Sequence, residues 1–170
     1  SNLGETETDG LAVYNDDPSN VETYGNLYNW YAVDDSRVVC PEGWHVPTDD
    51  EWMELEMFLG MSYDEAHDYG WRGTNQGSQL AGNSDLWISG DLEDDSAFGS
   101  SGFDALPAGS RIYNSGYYFN MGDQSYFWSS TERFNRGMAW GRTLINTYTW
   151  VSHYSFGYPG NGASIRCVRD

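Results

Sequence analysis

The spacing of apolar residues predicts one well-defined helix in the first third of the chain. Thr48 and Glu51 form a capping-box pattern, in which each side chain bonds the backbone N–H of the other residue. The apolar positions that follow recur at helical spacing before a glycine ends the run: Trp52, Leu55, Phe58 and Leu59. We therefore predict a helix over 49–59. The same capping pattern begins again at Ser62, which predicts a second, shorter helix over 63–69.

Runs of β-prone residues predict strands on both sides of these helices. Residues 26–33 (NLYNWYAV) are aromatic and read as a strand. Near the C-terminus, Gly, Asn and Pro separate runs that predict a further, antiparallel sheet: 126–130, 139–144, 148–153 and 163–168. Residues 70–125 are rich in Gly, Ser, Asn and Asp, and form either short strands or an elaborated loop region. This order of elements predicts an α+β fold, with residues 1–25 as a polar arm or edge strand and 26–170 as a single domain.

Charge narrows the classes of partner. The chain carries a net charge of −18, and residues 1–100 hold 22 acidic against 2 basic residues, whereas 101–170 hold 4 against 6. Such a field repels nucleic acid, which we exclude as a partner. No run approaches the 18 apolar residues of a membrane span, so we expect no direct membrane insertion. The acidic part either solvates the domain or leaves a C-terminal surface free of acids for a ligand.

Motifs for catalysis or metal binding are weak. The serine-hydrolase and zinc-protease patterns are missing, and His45, His67 and His153 do not form a cluster with zinc spacing. We therefore expect a protein that is not an enzyme and needs no cofactor. Oxygen ligands are dense at Asp91, Glu93, Asp94 and Asp95, where a solvated acidic loop is favoured over a structural Ca²⁺ within 83–104. Glu-Pro-Asn, Gln-Pro-Asp and Trp-Asn-Asp, the usual signatures of calcium-dependent sugar binding, are also missing.

The two cysteines, Cys40 and Cys167, could form one disulfide or remain two buried thiols. A bond between them would close a loop of over a hundred residues and contribute about 4–5 kcal/mol on the chain-entropy model. A disulfide would also imply an oxidising compartment.

Several long strings occur in the order found in one bacterial family. They are LYNWYAV, CPEGWHVPTDDEW, GFDALPAGSR, FWSSTE, AWGRTL and SIRCVRD, between residue 27 and residue 170. Together they closely resemble the Fibrobacter succinogenes major paralogous domain family, which is similar to the C-type lectin-like fold and to formylglycine-generating enzymes. The resemblance implies a small mixed sheet with two helices, neighbouring Cys40 and Cys167, and a secreted or cell-surface location. It also implies that Trp128 and Trp140 belong to the core. The reactive cysteine pair of the enzymes is missing.

The segment from FWSSTE to SIRCVRD also resembles the variable region of proteins diversified by retroelements. Adenine mutation of Asn codons yields many residue types but not Lys, Glu or Gln, and none of these three occurs between Arg133 and Arg169. Met138 and Trp150 are not reachable from such codons, which either argues against diversification or marks these two residues as scaffold. The resemblance implies a variable binding face over 133–162.

The same segment has the composition of a binding surface. Residues 133–162 mix aromatic residues and Arg with Ser, Gly and Asn, as antibody paratopes do. If the strand is regular, alternate residues from Tyr148 to Tyr158 line one face, which binds a ligand or else packs on the core. The predicted ligand-contact residues are Arg133, Phe134, Asn135, Arg136, Tyr148, Trp150, His153, Tyr154, Phe156 and Tyr158.

We therefore predict a non-catalytic module that recognises an extracellular protein or glycan. Two alternatives are a calcium-independent carbohydrate-binding domain and a structural module of a surface assembly. A glycan array would support the first alternative, and burial of the C-terminal aromatic residues would favour the second.

Overall fold

The described part of the chain, residues 10–35, 39–133 and 138–170 of a computed structural model, contains ten strands, six α-helices and three short 3₁₀ helices. The strands are β1 (Leu11–Ala12), β2 (Leu27–Tyr28), β3 (Trp44–His45), β4 (Gly70–Arg72), β5 (Ala108–Arg111), β6 (Tyr118–Met121), β7 (Gln124–Arg133), β8 (Met138–Ile145), β9 (Val151–Ser155) and β10 (Val168–Arg169). The helices are α1 (Val21–Tyr24), α2 (Trp30–Asp34), α3 (Asp49–Phe58), α4 (Tyr63–His67), α5 (Gln76–Leu80) and α6 (Asp91–Asp94). The chain is therefore α+β, as predicted.

A six-stranded sheet in the order β4-β9-β8-β7-β5-β6 forms the centre of the fold. Its neighbouring strands are antiparallel except β5 and β7, which run parallel, so the sheet is mixed. Two small antiparallel pairs stand beside it, β1 with β2 and β3 with β10. The predicted strands 126–130 and 139–144 lie within β7 and β8.

Both predicted helix starts are confirmed. Thr48 Oγ1 accepts a hydrogen bond from Glu51 N at 3.2 Å, and Glu51 Oε2 accepts one from Thr48 N at 2.8 Å. Ser62 and Glu65 repeat the arrangement at the start of α4. The backbone N–H groups that the first turn of a helix leaves free are thus satisfied locally, which is why sequence alone could place these two ends.

Three strand predictions need correction. The strand expected over 26–33 stops at Tyr28, because the Asn29 side chain accepts from Ala32 N (3.1 Å) and starts α2. The strand expected over 148–153 begins only at Val151. The run 163–168 is also not continuous, because Ala163 and Ser164 form isolated bridges before β10.

Residues 70–125 contain β4, α5, α6, β5 and β6, so of the two alternatives for this region the one with short strands applies, and short helices lie among them. Of the predicted arm 1–25, β1 pairs with β2 and Tyr14 is buried against Leu27 and Ala108, while residues 1–9 lie outside the described residues. No helix among the described residues has the length and apolar character to cross a membrane.

Each face of the sheet carries its own hydrophobic core. On one face α3 inserts Trp52 against Phe127, with ring centroids 5.8 Å apart, and Leu144 and Val151 are fully buried beside them. On the other face Trp128 is fully buried, and its Nε1 donates to the carbonyl oxygen of Tyr28 at 2.7 Å. The prediction of Trp128 as a core residue is confirmed. The sheet is therefore the middle layer of the domain, and only parts of its rim are open.

Cys40 and Cys167 form a disulfide, with the sulfur atoms 2.02 Å apart and the Cα atoms 5.9 Å apart. The bond joins the segment before β3 to the segment before β10, which pair with each other. His45 bonds Glu51 at 2.9 Å and Asp170 at 2.6 Å. The disulfide thus fastens the segment before β3 to the segment before the last strand, and His45 in β3 links Glu51 of α3 to the C-terminal Asp170.

Candidate ligand-binding surface

The structure distributes the ten predicted contact residues over several environments. Four are exposed: Tyr148 (41%), Trp150 (43%), Tyr154 (36%) and Tyr158 (70%). Arg133 and Phe156 are half-buried, and His153 is buried. The other three, Phe134, Asn135 and Arg136, lie outside the described residues.

His153 is not a surface residue, which corrects its prediction as a contact. Its side chain is 4% exposed, with Nε2 3.0 Å from the Asp49 carboxylate and Nδ1 2.9 Å from the Asp68 carbonyl oxygen. The Trp140 ring packs on it at 4.3 Å. Trp140, expected in the core, is only half-buried, because its strand extends past the start of α3.

Phe156 belongs partly to the core. Its ring centroid lies 5.0 Å from that of Trp128 and 4.7 Å from that of Tyr126. The expected single face from Tyr148 to Tyr158 is therefore divided, because β9 covers only Val151–Ser155 and the chain turns before and after it.

Tyr148 and Trp150 are presented by the turn before β9. Their rings are nearly parallel, with an interplanar angle of 10° and centroids 5.6 Å apart, and Tyr148 also packs on Trp71 at 5.0 Å. The turn is anchored to α5, since Ser78 N donates to the Thr149 carbonyl oxygen at 3.2 Å. A Cβ atom at Gly77 would overlap the carbonyl oxygen of Trp150, so glycine permits this close approach.

A second group of rings lies at the other end of β4. The Tyr69 ring packs edge-on against Tyr154 at 4.5 Å and against Trp140 at 6.0 Å. The Arg133 guanidinium carbon lies 4.7 Å from the Tyr69 ring centroid and 4.5 Å from that of Trp140. Arg133 Nη1 also donates to Ser155 Oγ at 2.9 Å. Arg, Trp and Tyr are the residue types that contribute most to binding energy at protein interfaces, and an arginine over an aromatic ring gains a cation–π attraction.

These two groups share one edge of the sheet. Tyr69 immediately precedes the edge strand β4 and Trp71 lies within it, so both follow the same rim. We name as the edge aromatic surface the five residues Tyr69, Trp71, Tyr148, Trp150 and Tyr154. Sequence reasoning missed Tyr69 and Trp71, although two aromatic residues at alternate positions between a capped helix and Gly73 are a recognisable strand pattern.

Beneath this rim lies a buried network of charges. Arg142 Nη1 donates to Asp49 Oδ1 at 2.6 Å and Arg142 Nε to Glu56 Oε1 at 2.7 Å, while Arg72 pairs with the second oxygen of Glu56. Burial by itself raises the pKa of Asp49, but the bonds from His153 and Arg142 outweigh it and hold that pKa below its ordinary value. Burial lowers the pKa of Arg72 to about 10. The network joins α3 to β4, β8 and β9, so it fixes the strands that present the edge aromatic surface.

The charge distribution left open a C-terminal surface free of acids, but an acidic residue lies beside the edge aromatic surface. Asp68 is exposed beside Tyr69 and accepts from the Tyr69 backbone N–H at 2.8 Å. This follows because β4 comes from the acidic half of the chain and pairs with β9 from the other half. Asp91, Glu93 and Asp94, expected in a solvated loop, lie in α6, and Asp95 follows directly after it. No group of three His, Cys, Asp or Glu side chains among the described residues is placed to hold an ion.

The fold and the disulfide define the class of protein as a disulfide-closed α+β domain with an aromatic rim. The family model of the Fibrobacter succinogenes major domain matches residues 2–169, and the chain belongs to this family. No curated protein and no solved structure gives a significant match to the chain.

Proposed function

We propose that this domain is a non-catalytic recognition module that binds an extracellular protein or glycan through the edge aromatic surface. The observation that carries the proposal is the exposure of Tyr148, Trp150 and Tyr154 (36–43%) on a rim whose backbone is hydrogen-bonded to α5 and to β4. Rigid aromatic side chains give large contact area for little loss of conformational entropy on binding. Arg133, which is bonded to Ser155 and stacked on its neighbours, adds a preorganised cation at one end.

Three features support a C-type lectin-like arrangement in an oxidising, secreted or surface location. The C-terminal segment is bonded by Cys167 to the segment before α3, a mixed sheet lies between two cores, and loops connect its strands. Disulfides persist mainly outside the cytosol. A non-catalytic role is supported by the buried polar side chains of Asp49, Glu56 and His153, which are engaged in bonds that hold elements together.

Binding is tested by comparing three forms of the domain on panels of extracellular proteins and glycans. A Trp150→Ala/Tyr154→Ala double variant removes two rings of the edge aromatic surface. Phe58→Ala is the matched control, since Phe58 is 86% exposed on α3 and outside this surface. We expect a ligand that binds wild type and the control but binds the double variant at least tenfold more weakly. A ligand that binds all three equally would show that the surface is not the site.

Diversification by a retroelement stays a proposal, and the structure narrows the positions it could use. A Cβ at Gly141 would lie 2.7 Å from the Phe127 carbonyl oxygen, and His153 and Asn146 are buried. Variation would therefore fall at exposed positions such as Tyr148, Tyr154 and Tyr158. Sequencing the locus in related strains should show substitutions at these positions and constant residues at Gly141 and His153. Equal constancy throughout 133–162 would refute the proposal.

A further inference from the structure

A cleft of about 360 Å³ lies at the other side of the sheet from the edge aromatic surface. It is lined by Ile112, Tyr113, Asn114, Tyr158 and Asn161. The first three residues follow β5, which stands four strands away from β4, or roughly 20 Å at ordinary strand spacing. The cleft is therefore a separate surface, although Tyr158 belongs to the same C-terminal segment as Tyr148 and Tyr154.

The walls of the cleft are held in place by hydrogen bonds from backbone N–H groups. Arg111 N donates to the Gly162 carbonyl oxygen at 3.0 Å, and Tyr113 N donates to Asn161 Oδ1 at 3.0 Å. A Cβ at Gly160 would overlap the Tyr113 ring, so the ring lies directly on the backbone of the opposite loop. Tyr113 is thus fixed by the fold before any ligand arrives, which reduces the entropy lost on binding.

The two tyrosine rings lie nearly parallel and offer aromatic faces on which a ligand ring can pack. Their planes are 4° apart and their centroids 6.0 Å apart, and Tyr158 is 70% exposed. Asn114 and Asn161 add side-chain amides, and the Asn161 Nδ2 makes no hydrogen bond to the described part of the chain. Amides and phenol groups offer both donors and acceptors without a full charge.

The combination of aromatic rings and uncharged amide groups matches the chemistry of sugars. Sugar rings present C–H faces that pack on aromatic rings and hydroxyl groups that exchange hydrogen bonds with amides. None of the five lining side chains is charged, and the net charge of −18 disfavours an anionic glycan. The volume is at the lower end of the range for small-molecule sites, about 300–1,000 Å³. We propose that the Tyr113–Tyr158 cleft is a calcium-independent binding site for a neutral sugar ring of a glycan.

The test uses the whole domain on an array that carries neutral oligosaccharides of hexoses and N-acetylhexosamines beside sialylated and sulfated glycans. The neutral oligosaccharide with the strongest signal is then titrated calorimetrically in the presence of a calcium chelator. Tyr158→Ala is the decisive variant, because its exposed ring can be removed without disturbing the core. Tyr117→Ala is the matched control, since Tyr117 is 73% exposed in the segment between β5 and β6 that also carries Tyr113, and does not line the cleft.

We expect a neutral glycan to bind wild type and Tyr117→Ala, and to bind Tyr158→Ala about tenfold more weakly, as loss of one stacked ring predicts. Tyr158→Phe should retain most of the affinity. Tyr148→Ala should leave sugar binding unchanged, which separates this site from the edge aromatic surface. The proposal is overturned if no glycan binds, if only anionic glycans bind, or if Tyr158→Ala binds as wild type does.

Discussion

The sheet face beneath α3 and the edge aromatic surface contain similar residue types, but the first is buried and the second is partly exposed to solvent. Beneath α3, Arg142 and Arg72 share the carboxylate of Glu56, and all three side chains are at most 4% exposed. At the rim, Arg133 lies over Tyr69 and Trp140, and the rings around it are half exposed. The difference arises because α3 begins at Asp49, so the strands that extend past this point are not covered by a helix.

The contrast suggests that stability and recognition are divided between neighbouring residues of the same strands. On β9, His153 bonds Asp49 inside the domain while Tyr154 contacts Tyr69 at the surface. Alternation of side chains along a strand allows this division over a single step of the chain. Substitutions at the two kinds of position should therefore separate unfolding from loss of binding.

The largest effect is expected at Glu56. Glu56→Gln removes the charge that two buried arginines share, and breaking a buried ion pair in this way costs about 3–5 kcal/mol of the free energy of unfolding. The measurement is urea denaturation beside Glu54→Gln, an exposed position on the same helix. A loss no greater than that of Glu54→Gln would mean that the network does not stabilise the fold.

Asp49 should give a smaller loss with a defined pH dependence. Its folded-state pKa lies below the ordinary value of 3.8, so its contribution is present above that pH and is lost as pH falls through the folded-state pKa. Asp49→Asn should cost about 2 kcal/mol at neutral pH, and the difference from wild type should shrink in acid. Unfolding curves across the acid range check the sign. A difference that grows in acid would contradict the assignment.

A substitution at Gly77 tests whether the contact of α5 with the turn before β9 holds the exposed rings of Tyr148 and Trp150 in place. Gly77→Ala forces a Cβ into the Trp150 carbonyl oxygen, so the turn must move, at a cost of about 1–3 kcal/mol. Tryptophan fluorescence should change together with ligand binding. Gly102→Ala provides a comparison, because its added Cβ meets nothing within 4 Å, although its positive φ of 69° adds some strain.

The smallest effect on stability is expected at the rim itself. Trp150→Ala or Tyr154→Ala should change the free energy of unfolding by no more than about 1 kcal/mol, because each ring is already 36–43% exposed. Thermal unfolding of the purified variants measures this. A loss comparable to that of Glu56→Gln would place these rings in the structural core and remove the distinction between the two regions.

The sequence by itself determined those elements that depend on local interactions. The capping boxes at Thr48 and Ser62 and the strands β7 and β8 depend on neighbouring residues, and each was predicted close to its observed position. The pairing of Cys40 with Cys167 followed only from family resemblance, since the residues themselves left two thiols possible. The contact residues on 134–136 lie outside the described part and stay predictions.

Tertiary structure decided which aromatic residues are exposed. Parity along 148–158 placed Ser152 and Tyr154 on one face, but it could not show that β9 begins at Val151 or that Asp49 pairs with His153. Tyr69 and Trp71 joined the surface only because β4 pairs with β9, a contact between residues some eighty positions apart. The physical reason is that burial depends on what covers a residue, and here the covering helix comes from a distant part of the chain.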